Sequence, residues 1–198
     1  MTLFLIALNV FAFAIEAASP DSPIDRYALW PLQTANSDVP VFHFWQLLTY
    51  SALHANLTHL VFNMLGLFMF GSEVERVLGA RRTLMLYAAS VVCGGVAQLL
   101  TSLMLAGDAY PAIGASAGVF GVLVAYALIF PQRRVVLLFP PIPMPAWLFA
   151  TGYAAIELLL GVSRAAPGVA HFAHLGGMVG AVVLIVFWSR KLHHDALD

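Results

Sequence analysis

Six stretches of this chain, residues 2–18, 55–71, 83–106, 112–130, 146–162 and 169–188, are nearly unbroken apolar runs. A helix needs about 20 such residues to cross a bilayer, with a range of roughly 17 to 25. Only helices and closed barrels satisfy their backbone polar groups in lipid. Composition agrees, since 61% of residues are hydrophobic and 10% are charged, with a mean hydropathy of +0.88, unlike an ordinary soluble domain. The sequence therefore predicts an all-α, polytopic membrane protein of six transmembrane helices, with 1–198 forming a single domain. Breaks fall at Pro20 and Pro23, at Arg81-Arg82, at Asp108 and Pro111, across 131–145, and at Arg164 and Pro167. The first run lacks the basic leader of a secretory signal and is read as the first membrane helix.

Seven of the nine basic residues, Arg76, Arg81, Arg82, Arg133, Arg134, Arg190 and Lys191, fall on one side of this arrangement, and Arg26 and Arg164 on the other. The side richer in Lys and Arg is cytoplasmic. Both termini are thus expected in the cytoplasm, and a bacterial inner membrane is the expected setting. The first loop, 19–44, is the only long one; it carries Trp30, Phe42 and Phe44 with Trp45 at its end, and is expected to lie in the outer interface. A net charge of -1 with no basic run excludes a nucleic-acid partner. Cys93, the single cysteine, is read as a small core residue.

Polar residues in apolar helices are costly, so their clustering is informative. They gather where the second run opens (His54, His59, Asn63), where the fourth opens (Gly114, Ser116, Gly118) and where the sixth opens (His174, Gly176, Gly177). Under the orientation above, all three lie at one shallow depth on the outer side. His59 and Asn63, four residues and roughly 6 Å apart on one helical face, suit an oxyanion hole. Ser116 at a helix start has a free backbone N–H and reads as both nucleophile and oxyanion donor. His174 reads as the base, since Gly176, Gly177 and Gly180 permit close approach to the small stripe Gly114, Gly118, Gly121 and Ala125.

The competing reading of each polar residue is helix packing, worth about 1 kcal/mol per hydrogen bond, and a lone serine reads better that way. Convergence of four residues at one depth favours a site. His54 and His171 read equally as site wall or interfacial polar residues. Glu157 and Glu16 are intramembrane carboxylates near the outer side, read as reaching the interface or packing protonated. No metal is expected: His54 with His59 and His171 with His174 lack the i, i+4 spacing, and no acid or thiolate completes the set.

The combination of HxxxN (His59, Asn63), GxSxG (Gly114, Ser116, Gly118) and AHxxG (His174, Gly177) resembles the rhomboid intramembrane proteases across essentially the whole chain. The resemblance implies Ser116 as nucleophile, His174 as general base, and His59 and Asn63 as oxyanion donors. It also implies that Gly71, Glu75 and Gly79 form a structural element on the cytoplasmic side. Two positions depart from the pattern. Trp45-Gln46 stands where relatives have Trp-Arg, which weakens a first-loop contact, and Phe120 stands where a tyrosine is common, keeping an aromatic face for the base. With no Asp or Glu seen beside His174, the sequence predicts a Ser-His dyad, slow turnover, a Ser116 Oγ to His174 distance of about 2.6 to 3.2 Å, and Phe120 packed on the imidazole in place of an orienting acid.

The expected function is therefore a serine endopeptidase cleaving transmembrane segments near the outer face, with membrane-protein substrates and the lipid bilayer as partners and no cofactor. No oligomeric state is specified. An inactive rhomboid-like binder of transmembrane segments is the alternative, but it calls for Ser116 or His174 to be missing. A transporter calls for an internal repeat with interrupted helices, which the sequence lacks.

Overall fold

The computed structural model describes residues 1–19, 22–32, 40–104, 110–136, 141–166 and 168–194. Pro20, Asp108, Pro167 and residues 33–39, 105–106 and 137–140 of the loop and segment assignments lie outside the described residues, as does the side chain of Lys191. The order is α1 (Thr2–Ala18), α2 (Ile24–Tyr27), α3 (Gln46–Thr49) with a 3₁₀ turn (Tyr50–Ala52), α4 (Leu57–Gly66) with a π-helical turn (Leu67–Gly71), α5 (Ser72–Met104), α6 (Ser116–Ile129), β1 (Arg134–Val136), β2 (Pro143–Pro145), α7 (Ala146–Ser163) and α8 (His171–His194).

Leu57–Met104, Ala146–Ser163 and His171–Arg190 are long and apolar enough to cross a membrane, and Thr2–Ala18 and Ser116–Ile129 are shorter apolar helices. Within the first, Gly79 leaves helical geometry at φ 77 and ψ 162, a left-handed conformation that glycine adopts without a steric cost. Large apolar side chains such as Phe4, Phe11, Val61, Phe62, Leu159, Val183 and Phe187 point outward, while Gln46, His54, Thr83, Ser90 and Asn63 are buried. Such a surface suits lipid and would aggregate in water.

The all-helical expectation needs one correction, because β1 and β2 pair antiparallel in the register Arg134↔Pro145, Val135↔Met144 and Val136↔Pro143. The β-branched valines favour an extended strand, and the prolines are tolerated because a two-stranded ribbon is all edge.

At this end of the molecule Glu73 accepts hydrogen bonds from Arg76 and Arg133, each at 2.5 Å, and Arg82 lies over the Trp188 ring. Glu75 Oε2 accepts from the Thr2 N–H at 2.7 Å, and Gly71 abuts the Thr2 side chain. Gly71 and Glu75 thus dock the start of α1 on the turn between α4 and α5, whereas nothing lies within 4 Å of a Cβ built at Gly79.

The core is the trio α5, α6 and α8, whose backbones approach closely at glycines. A Cβ at Gly177 would overlap the Ala117 carbonyl oxygen and lie 2.8 Å from its carbon, so α6 and α8 meet nearly backbone to backbone. Gly176 and Gly180 face α5 at Ala97 and Cys93, so this pair serves internal packing. Cys93 itself is exposed on α5, which corrects its reading as a core residue; an apolar run carries no mark of which face meets lipid.

Candidate active site

The opposite end of α8 carries the site. Ala112 pairs with Leu29 through two backbone hydrogen bonds of 3.0 Å, and the Gly114 N–H donates to the Tyr50 carbonyl at 2.9 Å. The first loop therefore pins the segment that delivers Ser116 to the first position of α6, where no side chain caps the helix and the early N–H groups point outward. Ser116 Oγ lies 2.8 Å from His174 Nε2. The Phe120 ring, one turn further along α6, stacks on the imidazole with centroids 4.6 Å apart and planes 27° from parallel. The sequence-based expectation for these three side chains matches this geometry.

Asn56 caps α4 by accepting the His59 N–H at 2.9 Å, which sets the helix start and hence the direction of the His59 side chain. His59 Nδ1 accepts from the Ala55 N–H at 3.3 Å, leaving the ring hydrogen of the neutral imidazole on Nε2. Gly114 holds φ 122, and a Cβ there would stand 2.8 Å from His59 Nε2, so glycine is what lets the ring approach Ser116. Asn63, buried, spends one amide hydrogen on the His59 carbonyl at 3.0 Å and has a second to give. His59, Asn63, Ser116, Phe120 and His174 line one cavity of about 610 Å³, walled on the apolar side by Phe62, Phe70, Phe149 and Tyr153.

One expectation is overturned. A carboxylate does lie beside the base: Oε2 of Glu157 is 2.8 Å from His174 Nδ1 and 2.6 Å from His171 Nδ1. Glu157 is 7% exposed and pairs with α8 rather than reaching out of the bundle. Phe120 therefore accompanies an acid rather than replacing one. The sequence signal was proximity along the chain: Glu157 lies two turns before the C-terminal end of α7, and His171 and His174 open α8 just beyond a short loop. The same geometry corrects the premise that no acid joins the histidines, since ligand atoms of Glu157, His171 and His174 lie within 4.8 Å of one another. A cation bound there would take the Nδ1 lone pairs, leaving the His174 hydrogen on Nε2, where it cannot accept from Ser116.

His54 stands behind His59, rings 5.2 Å apart, with 1% exposure and no hydrogen-bond partner for either ring nitrogen among the described residues. Burial, then the neighbouring His59, pushes its pKa down to about 4. The Glu16 carboxylate accepts from the His54 backbone N–H at 3.3 Å, tying α1 to the site. Gln46, fully buried, accepts from the Trp30 and His43 N–H groups and donates to the Arg26 carbonyl, so the residue that departs from the family pattern itself closes the first loop.

The family model described as Rhomboid domain matches residues 41–191. The rhomboid protease GluP of Bacillus subtilis is 32% identical over 180 residues, 90% of this chain and 33% of the relative. The mitochondrial Rhomboid protein 1 of Saccharomyces cerevisiae is 33% identical over 150 residues, 70% of this chain and 40% of the relative. The putative rhomboid protease YdcA of Bacillus subtilis is 37% identical over 126 residues, 62% of this chain and 59% of the relative. The chain thus spans between 33% and 59% of the length of these curated relatives.

Proposed function

The chain belongs to the rhomboid family and is an integral membrane protein, and on that premise we propose that it is a serine endopeptidase cleaving transmembrane segments near the outer face. Support rests chiefly on one observation, the 2.8 Å contact between Ser116 Oγ and His174 Nε2 at the edge of a cavity that also exposes His59 and Asn63. Ser116 Oγ attacks the scissile carbonyl carbon while its proton passes to His174 Nε2. The oxyanion takes hydrogen bonds from the Ser116 N–H, His59 Nε2–H and the Asn63 amide. His174 then gives the proton to the leaving amine, and water, deprotonated by the same nitrogen, hydrolyses the acyl-enzyme.

In this reading the chain crosses the bilayer six times. The helical stretch Leu57–Met104 of 48 residues would be about 72 Å long if straight, more than twice the hydrocarbon thickness, and the break at Gly79 divides it into two crossings. The end bearing Arg76, Arg82 and Arg133 is cytoplasmic, with both termini, in a bacterial inner membrane. A helix hides its peptide bonds, so substrates carry small or helix-breaking residues near the outer end of the segment.

The test is labelling of the detergent-solubilised protein with a fluorophosphonate, alongside cleavage of a model transmembrane substrate in liposomes. Wild type reacts in both assays, and Ser116→Ala and His174→Ala, folded by thermal melting, react in neither. Near wild-type turnover in either variant overturns the assignment.

A further inference from the structure

We propose that Glu157 is a positioning residue for the base, extending the serine–histidine pair into a chain Ser116–His174–Glu157 that is anchored by a second imidazole, His171. This rests on the protease reading above. The geometry needs one oxygen. Oε2 of Glu157 faces Nδ1 of both histidines, at 2.8 and 2.6 Å, and the three residues are 7%, 8% and 6% exposed for Glu157, His174 and His171. An ionised carboxylate can only accept hydrogen bonds, so each facing Nδ1 must carry its ring hydrogen. A neutral imidazole has one such hydrogen, and Nε2 of His174 is therefore bare where it meets the Ser116 hydroxyl. That is the tautomer a general base requires. In the other tautomer, lone pairs of Nδ1 and Oε2 would confront each other at 2.8 Å.

Phe120 cannot make this choice. Its face restrains the tilt of the His174 ring, but a stacked aromatic does not distinguish Nδ1 from Nε2. The carboxylate does, and when the Ser116 proton arrives on Nε2 it stabilises the imidazolium without taking the proton itself. His171 has a matching part. It lies three residues before His174 on the same face of α8, and its buried Nε2 has no hydrogen-bond partner among the described residues, so Glu157 is what its ring is placed to meet. A lone carboxylate at this depth would be costly to keep ionised. Two N–H donors on one oxygen offset that cost and fix the carboxylate's rotation.

The test is Glu157→Gln in the purified full chain, with kcat normalised to fluorophosphonate-titrated sites. We expect kcat to fall at least about 100-fold, short of the roughly 10⁴-fold loss on disabling the acid of a Ser-His-Asp triad because Phe120 still restrains the ring, with KM changed less than about threefold. Glu157→Asp, too short to reach both rings, should fall between. A merely structural carboxylate would lower the melting temperature and the titratable fraction but leave kcat per site unchanged; that result overturns the proposal. If Glu157→Gln does not fold, ¹⁵N-histidine NMR of the wild type decides: His174 and His171 both protonated at Nδ1 support the proposal, and His174 protonated at Nε2 overturns it. Ser116-dependent cleavage at the wild-type kcat per site in Glu157→Gln sinks this inference alone, whereas a wild type without Ser116-dependent cleavage sinks the protease reading.

Discussion

Replacing Gly177 with alanine puts a methyl group in place of one hydrogen at a point where α6 and α8 meet nearly backbone to backbone. The new Cβ would stand 2.8 Å from the Ala117 carbonyl carbon and closer still to its oxygen, whereas ordinary contact begins at 3.4 Å. The obstacle is backbone, which cannot rotate aside as a flexible side chain would. The helices must separate by at least 0.6 Å to clear the carbon (3.4 − 2.8) and by more than 1 Å to clear the oxygen. Ser116 lies one residue before Ala117, and His174 one turn before Gly177, so the shift is delivered almost undiminished to the 2.8 Å Ser116–His174 contact. A misplacement of about 1 Å costs on the order of 100-fold in rate, and overpacking costs about 1–3 kcal/mol of stability. Gly177→Ala is therefore expected to stay folded at low temperature, melt earlier, and label with fluorophosphonate about 100-fold more slowly. Gly152→Ala on α7 is the control: nothing lies within 4 Å of its Cβ, so labelling should be unchanged. Labelling of Gly177→Ala within twofold of wild type would refute the argument that backbone contact at Gly177 sets the catalytic distance.

Asn63→Ala should lower turnover by about 3 kcal/mol, roughly 100-fold, while Ser116 still labels, because one donor among several is lost; a loss equal to that of Ser116→Ala would mean the helix start has collapsed. Gly114→Ala should cost a similar factor in kcat by displacing His59, whose ring occupies the space of the new Cβ; unchanged kcat would remove His59 from the oxyanion hole. His54 is depressed in the folded state from 6.5 to about 4, so the unfolded chain binds the extra proton between those values, and stability present above pH 6.5 is lost as pH falls toward 4. Melting curves from pH 7 to 4.5 should show this loss, reduced in His54→Leu, and an identical slope in both proteins would contradict it.

Much of the arrangement was legible because lipid imposes a simple rule on sequence. The run 2–18 became α1 with the same bounds, and Ser116 and His174 open α6 and α8. Polar residues at helix starts report depth, and depth brought His59, Asn63, Ser116 and His174 together. What depth does not report is rotation. α7 is apolar all round, so nothing in its sequence says whether Glu157 faces lipid, water or α8, and the acid was read as reaching the interface or packing protonated. Cys93 failed for the same reason, since an apolar run reads alike whether its face meets lipid or protein. The strands at 134–136 and 143–145 were missed because proline and arginine there announce a turn and conceal a short pairing.

α7 packs on α8 at Gly161, where a Cβ would stand 3.2 Å from His171 Cβ and the Phe172 ring, and meets its other neighbours through bulky rings, Tyr153 against Phe120 and Phe149 against Phe70. Interfaces made of interleaved side chains slide more readily than those made of touching backbones. α7 is also the helix whose Phe149 and Tyr153 wall the cavity and whose Glu157 holds the two imidazoles. Cavity wall and carboxylate therefore ride on one rod: any displacement of α7 that moved Phe149 and Tyr153 outward would also draw Glu157 away from His174.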